Sequence, residues 1–384
     1  MGKKLLLVSF DAVGSDELTV LREMPNFKRI FAGGSIFPDL KTVFISNTYP
    51  VHSSIATGVV PGKHGVICNV MLQPDNPKPW WNYDSHLLQA EPIWRKASKK
   101  GLKTAAVMWP VTAYAKEIVW NVPEITVREG ETQIRANLRC GSKPAQIYSY
   151  VLHRKLLRGI DQPERDRFAA ASMLDAIKLI RPDLMLMHLT AYDSLCHEFG
   201  RGSAQTMTAL REMDENLGKL ADACGKDTAV IVFSDHAQLN VYTAVDPNRI
   251  LEMLGYLTYH ENGTVTDERA VFQNCDGSSF FFNRGLDPDQ AELVRNAALA
   301  DTAVERLLSE EEMIESGYAG KAEFGICAKP GYYFRAENIE KATHGYPTDY
   351  PNYSVFFAVS EPWPELESSS ILEVHKAAVK ILGL

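Results

Sequence analysis

An α/β fold, with a mainly parallel sheet flanked by helices and a small inserted α+β cap, is what the order of patterns in this 384-residue sequence predicts. Three observations carry that expectation. Short apolar runs at Lys4–Phe10, 103–108, Leu184–Leu189 and Thr228–Phe233 lack polar alternation, as strands buried on both faces of a parallel sheet do. Helical patterns lie between them, with apolar residues at three-and-four spacing over 163–180 and 203–224, and a last helix over 371–382. A long segment, 239–341, then breaks the rhythm.

The first run opens MGKKLLLVSFDAVG, two lysines before an apolar stretch. That stretch spans only 5–10 before Asp11, short of a secretory h-region of roughly 7–15 residues, and is read as a buried first strand. The breaking segment holds a helix near Asn248–Met253, a hairpin signal at Asn262-Gly263, aromatic strands around Phe272 and 279–282, and a helix over 288–299. The expected division is therefore a catalytic core of 1–238 and 342–384, an inserted cap of 239–341, and a smaller insertion of weak patterning at 115–157. The sequence shows no internal repeat.

Charge narrows the function classes. With 40 Lys and Arg against 48 Asp and Glu, the net charge of −8 argues against binding of nucleic-acid polymers or anionic membranes, which needs an excess of cations. Six cysteines are scattered without a CxxC pair, so reduced thiols and a cytoplasmic location are expected, with neither a disulfide framework nor a thiolate zinc site. Oligomeric state is not legible.

Candidate chemistry gathers at strand ends. Asp11 follows the first run, Asp193 follows the run ending at Leu189, and Asp235-His236 follow the run ending at Phe233. Carboxyl ends of parallel strands are where α/β folds place ligands. One such aspartate is usually a cap or turn residue; three together point to a metal cluster. Asp193 and His197 are four apart, so one helical turn puts both on one face. Asp235 and His236 converge only if the strand turns at its end, and Ala237-Gln238 break the apolar run there. His344 stands in a Gly- and Pro-marked turn before a strand at 353–359. The stretch ISNTYPVHSSIATG offers five Ser and Thr hydroxyls, Ser46, Thr48, Ser53, Ser54 and Thr57, besides Tyr49, and nothing local selects a nucleophile among them.

The ordered set Asp11, Thr48-Tyr49-Pro50-x-His52 with Thr57-Gly58 and His64-Gly65-Val66, Asp193-x-x-x-His197, Asp235-His236 and His344-Gly345-Tyr346 resembles the nucleotide pyrophosphatase/phosphodiesterase family of the alkaline phosphatase superfamily. Pro92-Ile93-Trp94 and Trp109-Pro110 fit the same pattern. The resemblance implies an alkaline-phosphatase-like core and two divalent metal ions, one held by Asp11, Thr48, Asp235 and His236 and the other by Asp193, His197 and His344. It makes Thr48 the nucleophile, Asn69 a donor to a phosphoryl oxygen and Tyr49 an aromatic platform for substrate. His52 and His64 are not ligands in that pattern, and Ser53, Ser54 and Thr57 are left to the helix.

Three imidazoles favour zinc, with manganese the alternative. The expected substrate is a small phosphodiester or pyrophosphate, nucleotide-like or otherwise, cleaved through a phosphothreonine. A phosphomonoesterase, a phosphonoacetate-type hydrolase and an inactive binding protein are the competing readings. The sequence departs from the family in having Val51 where Asn is common, and in lacking the leader, disulfides and extra domains of secreted members.

Overall fold

The computed structural model describes residues 3–74, 76, 79–128, 130–159, 161–260 and 265–384. Its centre is a seven-stranded mixed sheet of β1 (Lys4–Phe10), β2 (Ser35–Leu40), β3 (Thr104–Val107), β4 (Ile118–Val122), β5 (Leu184–Leu189), β6 (Thr228–Phe233) and a late strand Val355–Val359. The order is β2, Val355–Val359, β6, β1, β5, β3, β4. From β6 to β4 every pair is parallel, while Val355–Val359 runs antiparallel to both β6 and β2.

Alternation along the central strands feeds two cores. Leu5, Leu7, Leu184, Leu186, Ile231 and Phe233 point to one face, packed with Val51 and Ile55 of α1 (Thr48–Thr57). Leu6, Val8, Met185, Met187 and Leu189 point to the other. There they meet Met173 and Ala176 of α2 (Glu164–Ile180), Cys196 of α3 (Ala191–Phe199) and Met213 and Leu217 of α4 (Ala204–Ala223). A closing helix, α5 (Glu373–Leu382), covers the first face through Val374 and Ala377. Burying each large side chain of this kind contributes about 1.5–3 kcal/mol, which is why the strands read as unbroken apolar runs.

Two strands of this sheet escape the sequence reading. β2 carries Pro38, which has no N–H for a ladder and is tolerated because β2 lies at the sheet edge. β4 forms the opposite edge, so the segment 115–157 is not wholly an insertion: it supplies a sheet strand before its helices Gln133–Cys140 and Lys143–His153. Its short length and exposed Val119 hide the strand pattern.

Within 239–341 an antiparallel four-stranded sheet forms from β7 (Ala270–Cys275), β8 (Ser278–Asn283), β9 (Val304–Leu307) and β10 (Phe324–Ala328), in the order β7, β8, β10, β9; the late core strand Val355–Val359 is β11. Leu257–Tyr259 pairs antiparallel with Val265–Glu268, and the Asn262-Gly263 turn signal between them lies outside the described residues. A mixed apolar seam of Phe44, Ile45, Cys68, Cys275, Phe280 and Tyr318 joins this sheet to the core. Leu239–Asn240 pairs with Ala342–Thr343, so the chain leaves for this segment and returns from it side by side. Among the described residues no helix is long and apolar enough to cross a membrane.

Candidate metal centre

Because β1, β5 and β6 are parallel neighbours, their carboxyl ends deliver Asp11, α3 and Asp235-His236 to one edge. At the end of β6 the chain turns at once: the Ser234 hydroxyl donates to the His236 carbonyl oxygen at 2.7 Å, bringing the Asp235 and His236 side chains to the same place. The Ala12 amide donates to Asp235 Oδ1 at 3.1 Å and ties β1 to that turn. The start of α3 is held by Asp166 of α2, which accepts from the amides of Thr190 (3.1 Å) and Ala191 (2.9 Å). That places Asp193 in the first turn and His197 in the last.

Two clusters result. In the first, His236 Nε2 lies 3.2 Å from Thr48 Oγ1, 3.4 Å from Asp11 Oδ1 and 3.3 Å from Asp235 Oδ2. All four residues are buried. In the second, Asp193 Oδ1 is 3.4 Å from His197 Nε2, and His344 joins them, its ring 5.3 Å from that of His197. His344 also stands 4.2 Å, ring to ring, from His236, so it links the clusters. Its position depends on Gly345, whose φ of +82° and whose Cβ position, 2.2 Å from the Cys275 carbonyl oxygen, exclude a side chain.

The donor chemistry fits divalent cations. Asp11, Asp235 and His236 offer ligand atoms within 4.8 Å of one another, and Asp193, His197 and His344 do the same. Asp11 Oδ1, Asp235 Oδ2 and His344 Nδ1 are buried without a hydrogen-bond partner, a state that costs several kcal/mol for charged groups unless a cation satisfies them. Burial, with the charges of Asp193 and Asp235 added, pushes the Asp11 carboxyl well above its usual range, and burial lifts Asp235 to about 7. Burial drops His236 to about 4 and His344 to about 3, leaving both imidazoles neutral at pH 7 as metal ligands require. Burial opposes ionisation of Asp193, but the His197 imidazole beside it prevails and holds the carboxyl below the usual range.

Thr48 is the first residue of α1, with Asn47 as an N-cap that makes no side-chain capping bond; Pro50 has no N–H and the Tyr49 and Val51 amides are taken, which leaves the Thr48 amide free at the helix start. Asn69 lies within reach of that turn: its Oδ1 accepts from the Tyr49 amide at 2.8 Å, leaving its NH₂ free to donate. Asp11, Thr48, Asn69, Asp193, His197 and His344 all line one cavity of about 460 Å³. The stretch from 239 to 341 closes one side of it with Asn274, Asp276, Phe334 and Glu340.

Tyr49 does not fit the role of substrate platform. Its side chain is fully buried, packed edge-on against Trp81 at 5.3 Å, with its hydroxyl directed to the Glu124 carbonyl. Trp81, from an irregular loop, lines the cavity instead. Of the remaining hydroxyls, Thr57 donates within the helix to the Ser53 carbonyl at 2.7 Å, Ser54 Oγ leaves it for His64 Nε2 at 2.9 Å, Ser46 donates to the Tyr346 carbonyl at 2.8 Å, and Ser53 Oγ is buried without a partner. His52 Nδ1 lies 2.8 Å from the Thr48 carbonyl oxygen and 3.4 Å from Asp235 Oδ2, bracing the first cluster from behind.

Sequence reasoning missed the supporting residues. His188 Nε2 sits 3.0 Å from Asp11 Oδ2, and its only warning was a histidine inside the apolar run Leu184–Leu189. Glu340 Oε2 lies 3.0 Å from His197 Nδ1, and Gln238 Nε2 donates to Asp193 Oδ1 at 2.5 Å. A carboxylate behind a ligating imidazole fixes its ring and raises its basicity.

Known proteins resemble this chain. A family model described as type I phosphodiesterase / nucleotide pyrophosphatase matches residues 5–347. Bis(5'-adenosyl)-triphosphatase enpp4 of Xenopus laevis is 36% identical over 110 residues, covering 28% of this chain and 24% of that protein. Ectonucleotide pyrophosphatase/phosphodiesterase family member 3 of Bos taurus is 26% identical over 257 residues, covering 62% and 25%. The matched part thus spans about a quarter of those relatives' length. Among solved structures, an inactive Thr-to-Ala variant of murine ectonucleotide pyrophosphatase/phosphodiesterase 5 in complex with AMP aligns over 100% of this chain and 96% of its own, with TM-score 0.68 and 19% identity. Phosphonoacetate hydrolase of Sinorhizobium meliloti 1021, in complex with phosphonoacetate, aligns over 99% and 96% with TM-score 0.71 and 18% identity. These two share the α/β fold.

Proposed function

Because this chain belongs to the type I phosphodiesterase/nucleotide pyrophosphatase family, whose model covers residues 5–347, we propose that it is a two-metal hydrolase cleaving phosphodiester or pyrophosphate bonds through Thr48. One observation carries the reading: Thr48 Oγ1 opens a helix at the cavity wall and lies 3.2 Å from His236 Nε2, the point on which Asp11 and Asp235 also converge. Divalent ions bound by the two clusters, zinc by preference of the three imidazoles and manganese as the alternative, would lower the hydroxyl pKa and offset charge on the phosphoryl group.

The chain's own residues then divide the work. Thr48 Oγ1 attacks phosphorus in line as the leaving oxygen departs, and a water hydrolyses the phosphothreonine to restore the hydroxyl. The Asn69 NH₂ and the Thr48 amide at the start of α1 hold non-bridging oxygens. His52 keeps the first turn in place through the Thr48 carbonyl. Trp81, rather than Tyr49, offers the apolar face to a substituent of the substrate. The six cysteines, free in this structure, suit a cytoplasmic enzyme acting on small phosphorylated compounds.

Turnover of bis-p-nitrophenyl phosphate, p-nitrophenyl phosphate and phosphonoacetate, with metal content measured on the same chelator-free sample, tests the proposal. Diester preference with zinc or manganese bound is expected. Preference for the monoester or for phosphonoacetate would move the assignment to those chemistries, and absence of both metal and turnover would leave a binding protein.

A further inference from the structure

A cation in the cavity wall is left over once the metal ligands are assigned. Arg165 lines the cavity from the first turn of α2, and no carboxylate among the described residues lies within ion-pair distance of it. The other arginine of the wall, Arg335, is ion-paired with Glu340. Asp166, beside Arg165 in sequence, is spent on the amides of Thr190 and Ala191. Glu124, an acid of the same wall, has its Oε2 3.6 Å from His188 Nδ1.

The guanidinium is oriented without being neutralised. Its Nη2 donates to Thr190 Oγ1 at 2.8 Å and reaches Ser194 Oγ at 3.4 Å, both uncharged, while its Nε is shut from solvent with no partner. A helix N-terminus is an unfavourable place for a positive charge, so the helix dipole does not explain it. Its Nη1 makes no hydrogen bond among the described residues and is not shut from solvent, so it can donate to a carboxylate or phosphate oxygen in the cavity. Two divalent ions would already be balanced by the carboxylates of Asp11, Asp193 and Asp235 and an ionised Thr48, so they leave no positive charge for an anion beyond the scissile group.

Resting on the function proposed above, we infer that Arg165 binds a second anionic group of the substrate, so that the preferred substrates carry an oxyanion, phosphate or carboxylate, besides the phosphoryl group attacked by Thr48. The test compares kcat/KM for ATP and for phosphonoacetate with that for methyl p-nitrophenyl phosphate, which has a single anion. Arg165→Met should lower the two-anion to one-anion ratio by about 10- to 100-fold, the range of a lost charge-assisted hydrogen bond, and Arg165→Lys should recover part of it. The substrate whose ratio collapses names the source of the anion. Arg158→Met, a control at an 81% exposed side chain, should leave the ratio unchanged. An unaltered ratio in both Arg165 variants overturns the inference.

A binding arm separates this inference from the reading it rests on. If the wild type turns over none of the three compounds, the proposed function fails, and calorimetry on metal-loaded protein decides Arg165 alone. A preference for methylenebisphosphonate over methylphosphonate that Arg165→Met abolishes supports it; an equal preference in both proteins overturns it.

Discussion

The two ligand clusters are built from different parts of the chain. Asp11, Asp235 and His236 stand on adjacent parallel strands and are closed off from solvent, with Thr48 on a buried helix start above them. Asp193, His197 and His344 come from a helix and from the loop by which the chain returns after residue 341, and the first two are only half-buried. The closed half is rigid because the sheet ladder fixes its spacing. The open half depends on long-range props: Asp166 at the start of α3, Glu340 behind His197, and Gly345 beneath His344. Fixed chemistry on one side and an adjustable substrate-facing side on the other is the division such a layout permits.

The largest effect separates nucleophile from ligand field. Thr48→Ala should cut diester turnover by about 10⁴-fold or more while both metals stay bound, as read by steady-state kinetics and elemental analysis. Loss of the closed-half metal instead would show the hydroxyl to be an indispensable ligand. The next contrast lies between the halves: Asp235→Asn should empty the closed site, whereas Glu340→Gln should weaken only the open site, by about 10- to 100-fold. Metal titration of each variant distinguishes the two, and equal loss at both sites would mean that the clusters do not act separately.

The halves also titrate in opposite senses. Burial raises Asp235 from 3.8 to about 7, so in metal-free protein the folded chain keeps a proton that the unfolded chain releases between about pH 4 and pH 7. Stability falls as pH rises through that window, and Asp235→Asn should gain on wild type by on the order of 1 kcal/mol per pH unit across it. Asp193, held low by His197 against its burial, works the other way: its stabilisation is present above pH 4 and is lost as pH falls. Urea unfolding in chelator at several pH values would show the opposed slopes; parallel slopes for the Asp235→Asn and Asp193→Asn differences would refute them. The smallest effect concerns the aromatic pair. Tyr49→Phe, which removes one 3.4 Å hydrogen bond, should change stability by about 1 kcal/mol or less and leave KM unaltered, while Trp81→Ala should raise KM.

Sequence legibility follows the same division. Asp11, Asp235 and His236 were candidates because several apolar runs each lead to a carboxylate, although one such aspartate alone is usually a cap or turn residue. His344 was readable only through family resemblance, since it follows Ala342–Thr343, which pairs with Leu239–Asn240 about a hundred residues earlier. Tyr49 was misplaced because the sequence does not say which side of α1 meets the core, and the ring turns inward against Trp81. His188, Glu340 and Arg165 acquire meaning only from partners brought by tertiary folding. In the sheet, β2 and β4 were hidden because edge strands need not be apolar on both faces, whereas the four central strands are.

The central claim is that Thr48 forms a covalent bond to phosphorus. Rapid acid quench of metal-loaded protein turning over bis-p-nitrophenyl phosphate, followed by peptide mass spectrometry, tests it directly. The account predicts a phosphoryl-derived adduct on Thr48 that forms and decays at rates consistent with kcat. An adduct on another residue, or turnover with inversion at phosphorus and no adduct, would contradict it.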